Sequence, residues 1–522
     1  MNKMKAAESL YTKLAAQRDP YIQRARDASK LTIPTLMPEE GHTATSRLST
    51  PYQSVGARGV NNMASALLLS LLPPNSPFFR LVIDPTALSE IEAQEGGADL
   101  KTEIDTALAK IERSVMSEIE AQALRVHAFE ALRHLIVTGN VLLHLPPEGG
   151  MRVIHLDRFV IKRDAMGNPR TIITKESVSP DMLPKVAQAL VNANPDSTGK
   201  DGQVDMFTCV KMRGDGKIEV FQEIGGGIVP GSEGVFEAEK SPYIALRMNR
   251  TSGEDYGRGF IEQYIGDLAS LESLMQSVVE ASAAAAKVLF LVAPNGVTRS
   301  RVLAEAPNGG IVEGSANDVS VLQLNKASDL SIAYQTITTI TDRLSYAFLL
   351  TDNAIRNAER VTAAEVRLVT QSIERQLGGI YSVLSQEFQL PLVKRMMDQM
   401  ERDNKMPDLP EDLVRPAIIT GVEALGRGND LNKMDEFLVG VGQLLGPQAL
   451  GQFVNMREYM DRRAMALGIE TEGLIKSEEQ LQQEMQQQQM MAAAQQFGPQ
   501  VLDGLTKQSI ESMKQEGQGQ ND

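Results

Sequence analysis

Apolar side chains recur every three to four residues along most of the chain, and in one central stretch the period shortens to two. Leu10, Leu14, Tyr21, Ile22, Ala25 and Leu31 predict a helix over residues 1–31, interrupted at "RDP" (18–20). A loop with two prolines, "TIPTLMPEEGHTATSRLST", leads into "TPYQSVGARGVNNMASALLLSLLPPNSPFFRL" (50–81). There Val55, Val60, Met63, Leu67 and Leu68 line one side of a second helix. Pro51 lies near its start, Ser54 is placed to cap it, and "LLPPNSPFF" stops it. Ile104, Leu108, Ile111, Val115, Ile119, Leu124, Leu132 and Leu135 predict one long helix from about Leu100 to Val137.

Residues 140–247 read differently. "NVLLHL", "MRVIHLDRFVIKRD" and "RTIITKE" are strands joined by glycine turns; "QVDMFTCVKMR-GDG-KIEVFQEI" is a hairpin, and "GVFEAE-KSP-YIALRMN" continues the sheet. A short helix and loop occupy "VSPDMLPKVAQALVNANPDSTGKDG". After "GEDYGRG" the helical period returns through Ile261, Leu268, Leu271, Met275 and Val279, predicting a helix over 261–286 of roughly 39 Å. A glycine-punctuated β insertion follows, then a helix from Leu330 through Ile337, Ile340, Leu344 and Phe348. A very long helix carries Val366, Val369, Ile373, Leu377, Ile380, Leu384 and Phe388, kinked at Pro391, and "DNKMPDLPEDLVRP" breaks it. A smaller helical region spans about 421–470, and a Gln-rich low-complexity tail begins near Lys476.

The 522 residues are 42% hydrophobic, enough for two or three domains with sizeable cores. "ASALLLSLL" is far too short to span a bilayer, and the N-terminus has no apolar stretch of the secretory kind, so a reducing cytoplasm is the expected compartment. Cys209 is the one cysteine, which excludes an internal disulfide and a cysteine metal cluster; mid-strand, it reads as a packed thiol. The net charge of −15 argues against a bulk electrostatic grip on nucleic acid. There is no phosphate-binding loop: "STGKD" (197–201) lacks both the first glycine and the hydroxyl. "GVGQLLG" (440–446) has the wrong spacing for a dinucleotide site and reads as a helix contact. Neither H-E-x-x-H nor G-x-S-x-G occurs. Of the five histidines, His127 and His134 share a helix and His144 and His155 lie on strands expected to pair; their spacing argues for ordinary polar histidines, with no metal and no cofactor.

Two features remain. The helix, β unit, helix series (261–350) is either a stalk with a β unit at its far end or a helical hairpin with a long loop. Asn353, Arg356, Asn357 and Arg360 fall on one helix face, a basic stripe that by itself reads as a solvated surface.

Together, the 50–81 segment, "EDYGRGF" and "RVTAAEVRLVTQSIERQLGGIYSVLSQEFQLPLVKRMMDQMERDNKMP" resemble the head-to-tail connector (portal) proteins of short-tailed bacteriophages, with likeness spread over most of residues 1–475. The resemblance implies an α+β, mainly α portal fold assembled as a ring, usually of twelve subunits, at one capsid vertex. It implies a wing (1–256), stem helices (257–286 and 330–350), a clip (287–329), a tunnel segment and long kinked wing helix (351–407), a helical crown (408–475) and the tail (476–522). Asn353, Arg356, Asn357 and Arg360 would then face the channel, and Arg299, Arg301, Glu305, Asp318 and Lys326 would be the charges of the docking clip. Residues 50–81 would be architectural, with Gly56, Gly59, Ala64 and Ser65 allowing neighbouring helices to approach closely; an ordinary core helix within one chain fits the same residues.

The same resemblance implies a homo-oligomer, a dodecamer, that passes double-stranded DNA without reading its sequence. Packaging terminase, tail adaptor, major capsid, scaffolding and internal core proteins are the implied partners, with no membrane, no cofactor and no enzymatic activity of its own. The implied place is the virion's head-tail junction, after assembly in the host cytoplasm. An acidic channel would keep DNA centred while sparse arginine rings touch its backbone. The rival readings are a scaffold or other capsid structural protein, and an enzyme such as a packaging ATPase or nuclease; the missing phosphate loop argues against the ATPase, and a nuclease would need converging carboxylates.

Overall fold

The structure is a computed structural model. It describes residues 6–43, 45–74, 77–84, 86–87, 89, 97–193, 199, 202–285, 289–322, 327–350, 378–407, 409, 414–418, 435, 437–443, 459–460 and 463. Contacts divide the chain into Met1–Gly421 and Val422–Asp522. In the second unit residues 437–443 are helical, as expected of that region, and Arg463 donates to Asp435 (3.2 Å) and to the hydroxyl of Tyr459 (2.7 Å). The first unit is α+β and mainly helical.

Helix α1 (Ala6–Lys30) runs unbroken through Pro20, where an interruption was expected. A proline inside a helix costs about 3 kcal/mol, and burial at both ends of α1 outweighs it. Ala7, Tyr11 and Leu14 pack with Val160, Ile173, Phe207 and Cys209. Ile22 and Ala25 pack with Phe159, Ile161, Ile172 and Val210. Successive strand residues point to opposite faces, so the two halves of α1 cover opposite faces of one sheet and its middle passes the sheet edge. Arg18 sits at that crossing, buried, with Nη1 2.8–3.1 Å from the carbonyl oxygens of Leu156, Asp157 and Phe159. Cys209 is the packed thiol expected, its pKa pushed up to about 11 by burial.

That sheet is antiparallel, ordered β4 (Phe159–Arg163), β5 (Pro169–Val178), β6 (Val204–Met212), β7 (Ile218–Ile224), β8 (Gly227–Ile228), with β9 (Gly234–Phe236) also on β7. The expected hairpin closes at Met212↔Ile218, with Gly216 at φ +83°. The expected short helix is α5 (Lys185–Ala193). β10 (Tyr243–Arg247) does not continue this sheet as expected. It pairs with β2 (Asn140–His144), which also pairs with β3 (Arg152–Ile154). Four consecutive residues of both β2 and β10 are buried, so this small sheet lies between layers. His144 opposes Arg152, not His155.

The largest core is built around α2 (Val55–Leu71), whose Val60, Met63, Ala64, Leu67 and Leu71 are fully buried. Ser54 makes no side-chain cap. Gln53 does the work instead, accepting from the Gly56 N–H (2.9 Å) and donating to the Leu31 carbonyl (2.6 Å). A Cβ on Gly56 would meet the Leu31 oxygen at 2.5 Å, and one on Gly59 the Phe348 ring at 2.5 Å. These glycines therefore serve close contacts inside one chain. The long helix expected from 100 to 137 is two, α3 (Gly97–Ala121) and α4 (Leu124–Thr138), separated at Ala123 with φ +52°. The apolar spacing slips there, from Ile119 to Leu124. Glu112 of α3 is buried and accepts the Leu81 N–H (2.8 Å), burial holding its carboxyl above the usual range.

The sequence reading misses the two-residue β8 and also β1 (Phe79–Ile83) and β13 (Val414–Ile418), which pair antiparallel. At Pro391 the helix is accommodated by a π segment, Ser385–Gln389, between a helical stretch at 378–384 and α9 (Leu390–Arg402). The Leu390 N–H reaches the Ser385 carbonyl, five residues back. On one side of the segment Tyr381 donates to the Ser70 carbonyl (3.2 Å), and at its end Gln389 donates to that of Leu71 (2.6 Å), satisfying the C-terminus of α2.

Candidate functional site

The helix, β unit, helix series consists of α6 (Ile265–Ala285), a β unit and α8 (Ala327–Ala347). The first four residues of the expected helix, Ile261–Tyr264, form a 3₁₀ turn, which leaves α6 at 21 residues, roughly 32 Å. The two helices pack on each other and are rooted at one end. Leu268, Leu271, Ile337, Ile340, Leu344 and Phe348 are buried in the main core, and Arg343 donates to Asp267 (2.8 Å). Farther out burial stops: Val279, Ile332 and Tyr334 are exposed.

At the far end β11 (Leu289–Val292) and β12 (Val319–Leu322) pair antiparallel, from Leu289↔Leu322 to Val292↔Val319. A short helix, α7 (Ser300–Glu305), lies between them, an element the sequence reading lacked. Thr298 knots the loop: its N–H and hydroxyl reach Asp318 Oδ2 (3.0 and 3.1 Å), and its hydroxyl accepts from the Ser315 N–H (2.9 Å). A Cβ on Gly296 would meet the Asp318 carboxylate at 2.5 Å, and one on Gly314 the Thr298 hydroxyl at 2.5 Å. The surface so held exposes large apolar side chains beside its charges. Leu291, Val297 and Val302 are exposed, and Ile311 is 102% exposed, as open as a side chain can be.

The rooted end is held by "EDYGRGF" (254–260). Glu254 accepts from Tyr21 (3.0 Å) and Arg258 (2.7 Å). Asp255 accepts from Lys162 (2.7 Å) and the Arg163 N–H (2.8 Å), and Tyr256 accepts the Ile161 N–H (3.1 Å). The Asn140 side chain pairs with Gly257 as a backbone would, accepting its N–H (2.7 Å) and donating to its carbonyl (2.7 Å). Gly139 (φ +77°) lies against this segment so closely that a Cβ would fall 2.4 Å from the Arg258 carbonyl carbon. A Cβ on Gly259 would meet the Val137 oxygen at 2.5 Å. The motif thus fixes, at one point, where α6 leaves the body.

The sequence profile described as "Bacteriophage head to tail connecting protein" matches residues 4–475. The chain belongs to the bacteriophage head-to-tail connecting protein family. The portal protein of Escherichia phage T7 is 40% identical over 91% of this chain and 89% of its own length. That of Enterobacteria phage T3 is 39% identical over 91% and 89%. That of Enterobacteria phage SP6 is 32% identical over 91% and 90%. The function of this connector is that of a portal.

In this connector Arg299, Arg301 and Glu305 are exposed at the far end, Arg301 and Glu305 paired at 3.0 Å along α7. Asp318 is half-buried, its carboxylate engaged by Thr298. Lys326, Asn353, Arg356, Asn357 and Arg360 lie outside the described residues, as does the whole of the tail. Sequence reasoning singled out "EDYGRGF" but missed its counterpart, Gly139 with Asn140. Paired glycines in the two segments were the available signal. It missed the role of Arg18 altogether, because a lone arginine in a helix carries no mark of burial.

Proposed function

We propose that copies of this chain close into a ring, a dodecamer by family resemblance, at the capsid vertex, with the channel admitting DNA during packaging and releasing it at ejection. The observation that supports this reading is where the chain leaves apolar side chains in water. Val279, Leu291, Val297, Val302, Ile311, Ile332, Tyr334 and Tyr346 are exposed along the helical pair and its far end; the body exposes others, Val126, Met166 and Met182 among them. A run of exposed apolar side chains along one projection suits coverage by another molecule. In a closed ring the partner is the same chain, met by a heterologous contact that repeats around the axis.

On this reading α6 and α8 are the stem and the β unit is the clip. The body around α1, α2 and the two sheets belongs to the wing, and 408–475 to the crown. Arg299, Arg301 and Glu305 meet the packaging terminase and then the tail adaptor, while Asp318 holds the loop that presents them. Asn353, Arg356, Asn357 and Arg360 line the tunnel, giving weak, screened contacts to phosphates. The capsid and scaffolding proteins surround the wing, and the ring itself turns over no nucleotide. Electron microscopy of the purified chain viewed down its axis tests the reading, together with an ATPase assay on the same sample. Closed rings with a central hole and no turnover are expected. A monomer at all concentrations, or turnover that co-purifies with the ring, would overturn it.

A further inference from the structure

Three side chains far from the clip come together on the body. Glu130 and His134 are four residues apart on α4 and so share a face. His155 follows β3, in extended backbone at the start of a 3₁₀ turn, Leu156–Arg158. The rings of His134 and His155 lie 4.1 Å apart at 36°, and His155 Nε2 stands 3.8 Å from a Glu130 carboxylate oxygen. One donor atom from each residue falls within 4.8 Å of the others. His134 is 2% exposed, and its Nδ1 has no hydrogen-bond partner. Buried polar nitrogens almost always have one.

We propose that Glu130, His134 and His155 bind a divalent transition-metal ion, zinc above all, which joins α4 to the turn before β4. Two imidazole nitrogens and one carboxylate oxygen suit zinc, with bonds of about 2.0–2.2 Å and a fourth position left for water. They are too few oxygens for calcium or magnesium. Donors on a tetrahedral ion stand roughly 3.4 Å apart, so this set, within 4.8 Å, must close by up to about 1.4 Å. The closing falls to the two ligands free to move: the side chains of His155 and Glu130 are 35% and 48% exposed, whereas His134 is fixed by the core. Arg133, whose guanidinium lies 5.8 Å from the Phe129 ring centre, is a neighbour that opposes a cation. The bound ion would fasten α4 directly to the turn that leads into β4.

The test uses the full chain without a histidine tag and zinc chloride alone as probe. Isothermal titration should find one zinc per chain, and cobalt in its place should give the visible absorption of a low-symmetry four-coordinate site. Zinc should raise the Tm of the native chain. His155→Ala should weaken binding by at least about a hundredfold and abolish the Tm rise, and Glu130→Gln, at an exposed position, should weaken it without disturbing the fold. His42→Ala should bind as the native chain does. Absence of stoichiometric zinc would overturn the proposal. So would unchanged affinity in both ligand variants, or equal stabilisation by magnesium.

Discussion

The two ends of the helical pair are built on opposite terms. At the rooted end each polar group of "EDYGRGF" finds its partner in the same chain, and glycines let backbones touch where no side chain fits. At the far end the internal hydrogen bonds fix the shape of a loop, but Leu291, Val297, Val302 and Ile311 are exposed. The first region finds its partners within the chain; on the proposed ring reading the second finds them in a neighbouring copy. Stability should therefore respond to changes at the root and assembly to changes at the tip, and a connector read this way separates the two properties along one pair of helices.

The largest effect should come from Gly139→Val. The residue combines φ +77° with a Cβ position 2.4 Å from backbone, so the variant should lose at least about 4 kcal/mol or fail to fold. Urea unfolding measures it, and a near-native curve would remove the distinction between root and tip. Asn140→Ala leaves the Gly257 N–H and carbonyl buried and unpaired. It should cost about 2–4 kcal/mol. Thr298→Val should cost about 1–2 kcal/mol and only at the tip. Hydrogen exchange should quicken over residues 293–318 and stay unchanged at 254–260.

A pH effect belongs to the root side. His144 is stacked on Tyr243 at 4.4 Å, and burial, with Arg152 and Arg395, lowers its pKa to about 4 against the opposing pull of Glu148. An unfolded histidine takes up its proton near pH 6.5, so between about 6.5 and 4 the unfolded chain holds more protons than the folded one. Stability should thus fall as pH drops through that window, by on the order of 1 kcal/mol per pH unit, and level off below it. His144→Phe, which keeps the stack, should flatten this part of the profile when denaturation is followed from pH 7 to 5.

The smallest effect on stability should come from the tip surface. Ile311→Ser with Val297→Ser should move Tm by less than about 0.5 kcal/mol equivalent yet reduce ring formation in electron micrographs. Arg299→Glu with Arg301→Glu should leave both Tm and rings intact and weaken binding of adaptor or terminase at low salt. Rings that form normally without Ile311 and Val297 would place the intersubunit contact elsewhere.

What the sequence disclosed and what it hid follow from the range of each interaction. Amphipathic helices, the β6–β7 hairpin and the helix, β unit, helix order were legible because each rests on a local period. The break at Ala123 was legible only as a slipped spacing. The passage of α1 through Pro20, the move of β10 to a second sheet, and the pairing of β1 with β13 depend on partners remote in sequence. So do the pairing of Asn140 with Gly257 and the meeting of His134 with His155, which no spacing in either segment announces. The family likeness supplied the function, and the geometry at the far end of the helical pair then showed which of its charges are exposed and which, like Asp318, hold the loop.

The π segment before Pro391 acts as a correction of angle. Tyr381 and Gln389 take neighbouring carbonyls of α2, although they are eight residues apart. In an unbroken α-helix, at about 100° per residue, such residues would point roughly 80° apart. One surplus residue in a wider turn takes about 100° out of that sum and brings them within roughly 20° of a common line. The extra residue thus works as a vernier between two rods: it lets one helix read two successive notches of another. Removing any single residue from 385–389 would restore the regular winding and detune the match, so that one of the two carbonyls would lose its donor.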